Sequence, residues 1–169
     1  MVLRRRCRRQ RQKQRPKLGI EFASMTLNEH VAKAVLDAAH RAWSEGDVQG
    51  VLTHYVDDLV YVCNTGGANG GPLTIEGRAG MEAFLDPVVV VAQSMSVVES
   101  FQFHAGIGRA RIASFTRHRK TGHTLSGSYR QIVSFRGSRI CRLEEFHDAA
   151  KMAAFWRLVK SETLQTTGR

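Results

Sequence analysis

The sequence predicts an α+β domain, with helices first and an antiparallel sheet after them. Three observations carry this. Apolar residues recur at helical spacing over residues 27–43. The C-terminal half holds four strand-like runs, at 97–104, 109–119, 124–135 and 139–147. The breaks between these runs are Ala105-Gly106, Thr121-Gly122 and Arg136-Gly137. Such short glycine turns join neighbouring antiparallel strands in a meander.

The elements follow in order. Thr26-Leu27-Asn28-Glu29 reads as a capping box, in which hydroxyl and carboxylate satisfy the first free amides reciprocally. Leu27, Val31, Ala34, Val35, Ala38, Ala39, Ala42 and Trp43 then form the expected buried stripe. Gly46 stops this helix, and Asp47 caps a shorter one with Val48, Val51, Leu52 and Tyr55 inward. Residues 59–63 read as a strand rich in Val and Tyr. The glycine-rich stretch 65–72 lacks the GK[ST] ending of a phosphate loop and reads as a flexible loop at a pocket mouth. Residues 80–94 are ambiguous. Met81, Phe84 and Leu85 have helical spacing, whereas Pro87 and the valines at 88–91 favour a kink, a restart or a strand. Asp148 caps a last helix with Met152, Phe155, Trp156 and Val159 on one side.

Charge divides the chain. Of 25 Lys/Arg, nine fall in residues 1–17, where there is no acid, leaving 16 against 15 Asp/Glu. The domain is therefore nearly neutral, which argues against a basic nucleic-acid-binding face. Residues 1–24 are expected to be a solvated basic tail, 25–160 the domain and 161–169 a flexible end. The tail reads as an electrostatic contact to nucleic acid or anionic membrane, as a targeting segment, or as translation from an early start, with Met25 the functional one. Three cysteines at wide spacing (Cys7, Cys63, Cys141) form no disulfide or zinc pattern. No apolar run approaches a membrane span. The expected compartment is the cytoplasm. Seven scattered histidines with neither HxH nor HxxxH predict no metal site.

Ala42-Trp43-Ser44-Glu45-Gly46-Asp47, followed by His54-Tyr55-Val56-Asp57-Asp58, resembles the start of the NTF2-like superfamily. Gly77-Arg78-Ala79-Gly80-Met81-Glu82-Ala83-Phe84 resembles its third helix, and Arg142-Leu143-Glu144-Glu145-Phe146-His147-Asp148 its closing strand. Within that superfamily the chain is most similar to the SnoaL-like, ketosteroid-isomerase-like branch. The resemblance implies a cone-shaped fold, a curved antiparallel sheet wrapped by N-terminal helices, with a C-terminal helix. It also implies a hydrophobic pocket for a small molecule, a homodimer packed through the sheet, and a helical 80–94. Ketosteroid isomerases use an Asp base with a Tyr and a protonated Asp as oxyanion donors. On the landmarks at Gly46-Asp47 and 129–135, those three positions fall on Cys63, Ala39 and Gln131. Ala39 cannot donate, and a thiol is a poor base, so steroid isomerisation by that route is not expected.

Alternation along the last strand puts Leu143, Glu145 and His147 on one face, which the resemblance turns to the cavity. The cavity sets of the preceding strands are Ser114, Thr116 and His118, and Tyr129, Gln131 and Val133. Glu145 and His147 are the expected catalytic pair: burial raises a carboxyl pKa and a histidine titrates near neutrality, which suits acid–base work without a cofactor. The structural alternative pairs Glu145 with Arg130 or Arg142 and has His147 cap the terminal helix. Tyr129, Gln131, His118, Cys63, Tyr61, Phe101 and Phe103 are the expected substrate contacts, His118 standing beside a solvated cluster of basic residues. Asp57 and Asp58 mark a helix-to-strand corner rather than a paired acid site. A cofactor-independent isomerase, cyclase, dehydratase or hydrolase acting on an apolar metabolite competes with a non-catalytic ligand-binding or interaction module. Nucleic-acid binding, if any, belongs to the tail. Deletion of residues 1–24 is expected to abolish salt-sensitive DNA retention in a mobility-shift assay, and unchanged retention places the binding in the domain instead.

Overall fold

The computed structural model describes residues 27–66 and 71–167, with side chains through residue 161. Helix α1 (Glu29–Glu45) starts at Asn28, whose Oδ1 accepts the Val31 amide at 3.0 Å. The cap is thus Asn28, while Thr26 of the expected capping box lies outside the described residues. The helix ends at Gly46, whose φ of 74° is the left-handed conformation that glycine adopts without a Cβ penalty. Its buried stripe is Ala32, Leu36, Ala39, His40 and Ala42. Ala34 is exposed, so the stripe is rotated from the expected one. Alanines on both faces blur an apolar pattern, and the stripe is anchored by Leu36. Helix α2 (Val48–Thr53) is capped by Asp47, which accepts the Gly50 amide at 2.8 Å.

Strand β1 (Tyr55–Cys63) begins earlier than expected and takes in Tyr55. Strand β2 (Leu73–Glu76) was not foreseen, because four residues are too few to show a period. It pairs antiparallel with the end of β1. Helix α3 (Gly77–Val91) is continuous through Pro87. The β-branched 88–91 run is helical because Val88 faces an internal cavity and Val89 packs on the core; tertiary context overrides local propensity. Strand β3 (Ala92–His104) follows directly. Strands β4 (Ile107–His118), β5 (Thr124–Arg136) and β6 (Arg139–Phe146) complete the meander. Helix α4 (Ala149–Thr167) is capped by Asp148 accepting the Lys151 amide at 3.0 Å, and it continues past residue 160.

The six strands form one curved, open sheet in the order β2-β1-β6-β5-β4-β3. Every pairing is antiparallel except β1 with β6, which is parallel. Helix α1 packs on β3, α3 on β1, and α4 on β5. The helices thereby cover the concave face. Leu36, Leu52, Leu59, Ile112, Val133 and Ile140 form the most deeply buried part of the core between them. The register decides what shares a row. Cys63 lies beside Glu145, and Glu145 opposite Gln131. Asp58 bonds Arg136 and Asp57 lies 3.5 Å from Arg78, so both carboxylates serve surface ion pairs.

Candidate functional site

A cavity of about 310 Å³ opens between the concave sheet, α1, α3 and α4. Its wall is mostly apolar: Leu36, Met81, Phe84, Leu85 and Val88 on one side, Met152, Phe155 and Trp156 of α4 across the other. Glu145 and His147 line it, with side chains only 13% and 18% exposed. Tyr61, Cys63, Tyr129 and Gln131 line it too.

Strand register builds the polar centre. Glu145 projects from β6 between β1 and β5, and each neighbour supplies a donor. Tyr61 Oη donates to Glu145 Oε2 at 2.8 Å, and Gln131 Nε2 donates to Oε1 at 2.7 Å. His147 Nε2 lies 2.9 Å from Oε2. Burial pushes the Glu145 carboxyl up, but the bond and charge of His147, and the bonds from Gln131 and Tyr61, outweigh it and hold the group below its ordinary value. This corrects the expected raised value: donors, not the apolar wall, decide. Burial also pushes the His147 imidazolium down. Its hydrogen bonds to Cys63 and Glu145, and the carboxylate charge, raise it to about 9. At neutral pH the two form an ion pair. Tyr129 stacks on the His147 ring, centroids 4.1 Å apart at 26°, a placement that favours the cation. Asn64 clamps the His147 backbone, accepting its N–H at 2.8 Å and donating to its carbonyl at 2.9 Å.

The structural alternative named other partners. Arg142 instead bonds Glu144, on the outer face, and His147 does not cap α4, since Asp148 does. Three expected substrate contacts lie elsewhere. His118 does not line the cavity and is not solvated; it is buried, and its Nδ1 accepts the Thr121 amide at 3.2 Å within the β4–β5 turn. Phe101 and Phe103 stack on each other, Phe103 meets Phe135 edge-on, and neither lines the cavity. They fill the β3–β4 hairpin end, where Gly108 makes room for the Phe101 ring.

Sequence reasoning missed His40. It is 7% exposed on α1, and Gln131 Oε1 lies 3.0 Å from its Nε2. Because the Gln131 amide nitrogen faces a carboxylate, its oxygen must accept, so His40 carries its proton on Nε2. Burial holds His40 below its usual pKa, against its bond to Gln131 and the Glu145 charge, and keeps it neutral. The Ser96 hydroxyl therefore donates to His40 Nδ1, at 2.7 Å. The available signal was spacing: His40 stands four residues after Leu36 on the buried stripe.

Donor atoms of Cys63, Glu145 and His147 lie within 4.8 Å of one another. The sequence-spacing rule could not see this cluster, because its members converge across two paired strands. These are donor types that take zinc.

The pair has a sign-definite effect on stability. His147 is raised from 6.5 to about 9, so its contribution is complete below pH 6.5 and is lost as pH rises through about 9. Glu145 is lowered, so its contribution is present above pH 4.5 and is lost in acid. Between pH 6.5 and 9.5 the unfolding free energy is expected to fall by a few kcal/mol, on the order of 1.4 kcal/mol per pKa unit. Urea titrations of Glu145→Gln should show that slope flattened; an unchanged slope would mean that the ion pair does not form.

No family model and no curated protein sequence matches the chain. Solved structures do. An NTF2-like protein of unknown function from Burkholderia pseudomallei superposes with a TM-score of 0.65 at 17% identity, over 74% of this chain and 96% of that one. A Catenulispora acidiphila protein with a ketosteroid isomerase-like fold, in complex with trimethylamine, gives 0.62 at 13%, over 72% and 90%. An LEH-like epoxide hydrolase of M. tuberculosis gives 0.63 at 13%, over 81% and 98%. Element order, the parallel β1–β6 pairing and these superpositions together assign the chain to the NTF2-like, ketosteroid-isomerase-like α+β fold.

Proposed function

We propose that the chain is a small-molecule pocket protein performing cofactor-independent acid–base chemistry on an apolar metabolite, with Glu145 and His147 as its catalytic pair. The carrying observation is the Glu145–His147 ion pair, set in a largely apolar cavity. The His147 imidazolium is the proton donor to a carbonyl, hydroxyl or ring oxygen of the substrate. Loss of that proton leaves a neutral imidazole, which retrieves a proton from carbon or from an entering hydroxyl. Glu145 stabilises the cation and sets the ring. Tyr61, kept protonated by burial and by the neighbouring carboxylate, donates to Glu145 and holds that carboxylate in place. An isomerase, cyclase, dehydratase or hydrolase can use this sequence of transfers. The hydrolase named among the structural neighbours acts on an epoxide, a substrate opened by proton donation to oxygen.

One observation favours a non-catalytic binding module instead. Three protein donors already occupy the Glu145 carboxylate, as they would in a purely structural network. Turnover decides between the two. Conversion of an apolar epoxide or enone by the intact protein is expected to fall at least about a hundredfold in Glu145→Gln and His147→Ala, with the circular dichroism spectrum retained. Wild-type turnover in both variants removes the pair from catalysis.

The reading extends to a homodimer packed through the sheet. Met95 and Val97 of β3 are 50% and 65% exposed, an apolar stripe that a second copy would cover. Sedimentation equilibrium should give a dimer for the intact chain and a monomer for Val97→Asp; a monomeric intact chain sinks this part. The cytoplasm is the compartment assigned, consistent with free Cys63 and Cys141. No helix of the described residues is long and apolar enough to cross a membrane.

A further inference from the structure

Away from Glu145 the cavity wall has a second polar region. On the inner faces of β3 and β4, Ser94 stands opposite Thr116 and Ser96 opposite Ser114, and all four line the cavity. Ser96 is committed to His40. The others are weakly engaged. Ser94 and Thr116 share a 3.3 Å contact, and the Ser114 hydroxyl reaches the Gly127 carbonyl at 3.5 Å, the outer limit of a hydrogen bond. Hydroxyls on an apolar wall are costly unless bonded, and alanine or valine would fill the same space. They therefore retain capacity to donate to a ligand.

An exposed cation, Lys151, stands near the Ser114 end of this region, outside the residues that line the cavity. Gly127 is opposite Ser114 on β5, and it alternates with Tyr129 and Gln131 on the inner face. The nearest atom to where its Cβ would stand is Lys151 Nζ, at 3.6 Å. Lys151 donates one hydrogen bond, to the Ser126 carbonyl at 3.0 Å, and an ammonium has three protons. Along β5, Gly127 precedes Gln131, the partner of Glu145, by four residues, a span of about 13 Å at about 3.3 Å per residue.

We propose that Ser94, Ser114, Thr116 and Lys151 form a second binding subsite, for a carboxylate carried by the ligand at the end remote from its reacting oxygen. The subsite rests on the acid–base reading of Glu145 and His147, and it narrows the substrate class. The ligand is an elongated apolar molecule with a reactive oxygen at one end and an anionic group at the other, separated by roughly the 10–13 Å that strand geometry sets.

Both tryptophans of the chain, Trp43 and Trp156, line the cavity, so fluorescence quenching reads its occupancy. Two probes separate the ends: 4′-hydroxybiphenyl-4-carboxylate and 4-hydroxybiphenyl. The intact protein is expected to bind the carboxylate probe about tenfold or more tightly than the neutral one. The triple variant Ser114→Ala, Thr116→Val, Lys151→Met is expected to bring the ratio to about one, leaving affinity for 4-hydroxybiphenyl unchanged, which also shows that the variant is folded. The milder single variant Lys151→Met should lose most of the preference. Equal affinity of the intact protein for both probes, a preference that survives the triple variant, or no quenching by either probe at the limit of solubility overturns the subsite. Failure of the acid–base reading is seen separately, as undiminished turnover in Glu145→Gln, and does not alter the probe ratio.

Discussion

The polar interior of this protein depends on keeping one carboxylate ionised where little water reaches it. A buried charge survives only if donors replace its hydration. Glu145 obtains them from Tyr61 on β1, Gln131 on β5 and His147 just beyond β6. Satisfying one group therefore ties three adjacent strands together on their concave side. The consequence runs further. The carboxylate sets the direction of the Gln131 amide, the amide sets the His40 tautomer, and that tautomer sets the Ser96 hydroxyl. A charge on β6 thus dictates a proton position on α1 and a rotor on β3.

The same constraint shapes the polar lining of the pocket. Ala39, Cys63 and Gln131, the positions that the ketosteroid-isomerase resemblance marks for catalysis, all line the cavity, and none is a carboxylic acid. The carboxylate comes instead from the neighbouring strand, because the parallel register puts Glu145 beside Cys63. Glu145 and Cys63, side by side on paired strands, face the same space. The partner at 131 suits this acid: a neutral amide can donate to a carboxylate at 145, whereas an aspartate there would oppose it with like charge.

Much of the architecture was legible in the sequence because it follows period and punctuation. The four C-terminal strands are long and end at glycine turns, so the bounds of the last three fall within two residues of the structure, while the first begins at Ala92, five residues before its expected start and inside the stretch expected to be helical. Alternation grouped the side chains of each strand by face, and the resemblance turned the sets holding Glu145, Gln131, Tyr129 and Ser114 inward, where they line the cavity. What escaped had physical reasons. β2 is too short to carry a period. The valines at 88–91 prefer strands locally but are held in a helix by packing. His40 is polar, and an apolar count passes over it although it occupies a core position. Phe101 and Phe103 share a face by alternation, but alternation gives neither which face that is nor their depth along the strand. The sign of the Glu145 shift needs the positions of three donors from distant segments, which no local pattern encodes.

The lone parallel pairing has a consequence for the order of events during synthesis. β1 hydrogen-bonds β6, whose residues lie some 80 positions later in the chain, as in Tyr61 beside Leu143. On a ribosome adding about 5–20 residues per second, β1 waits roughly 4–16 s before its partner exists. During that interval β2 covers only the opposite edge of β1, and the Tyr- and Val-rich edge that β6 will take stays unpaired. The early strand thus stands with one edge open to other nascent chains until the last strand is woven in.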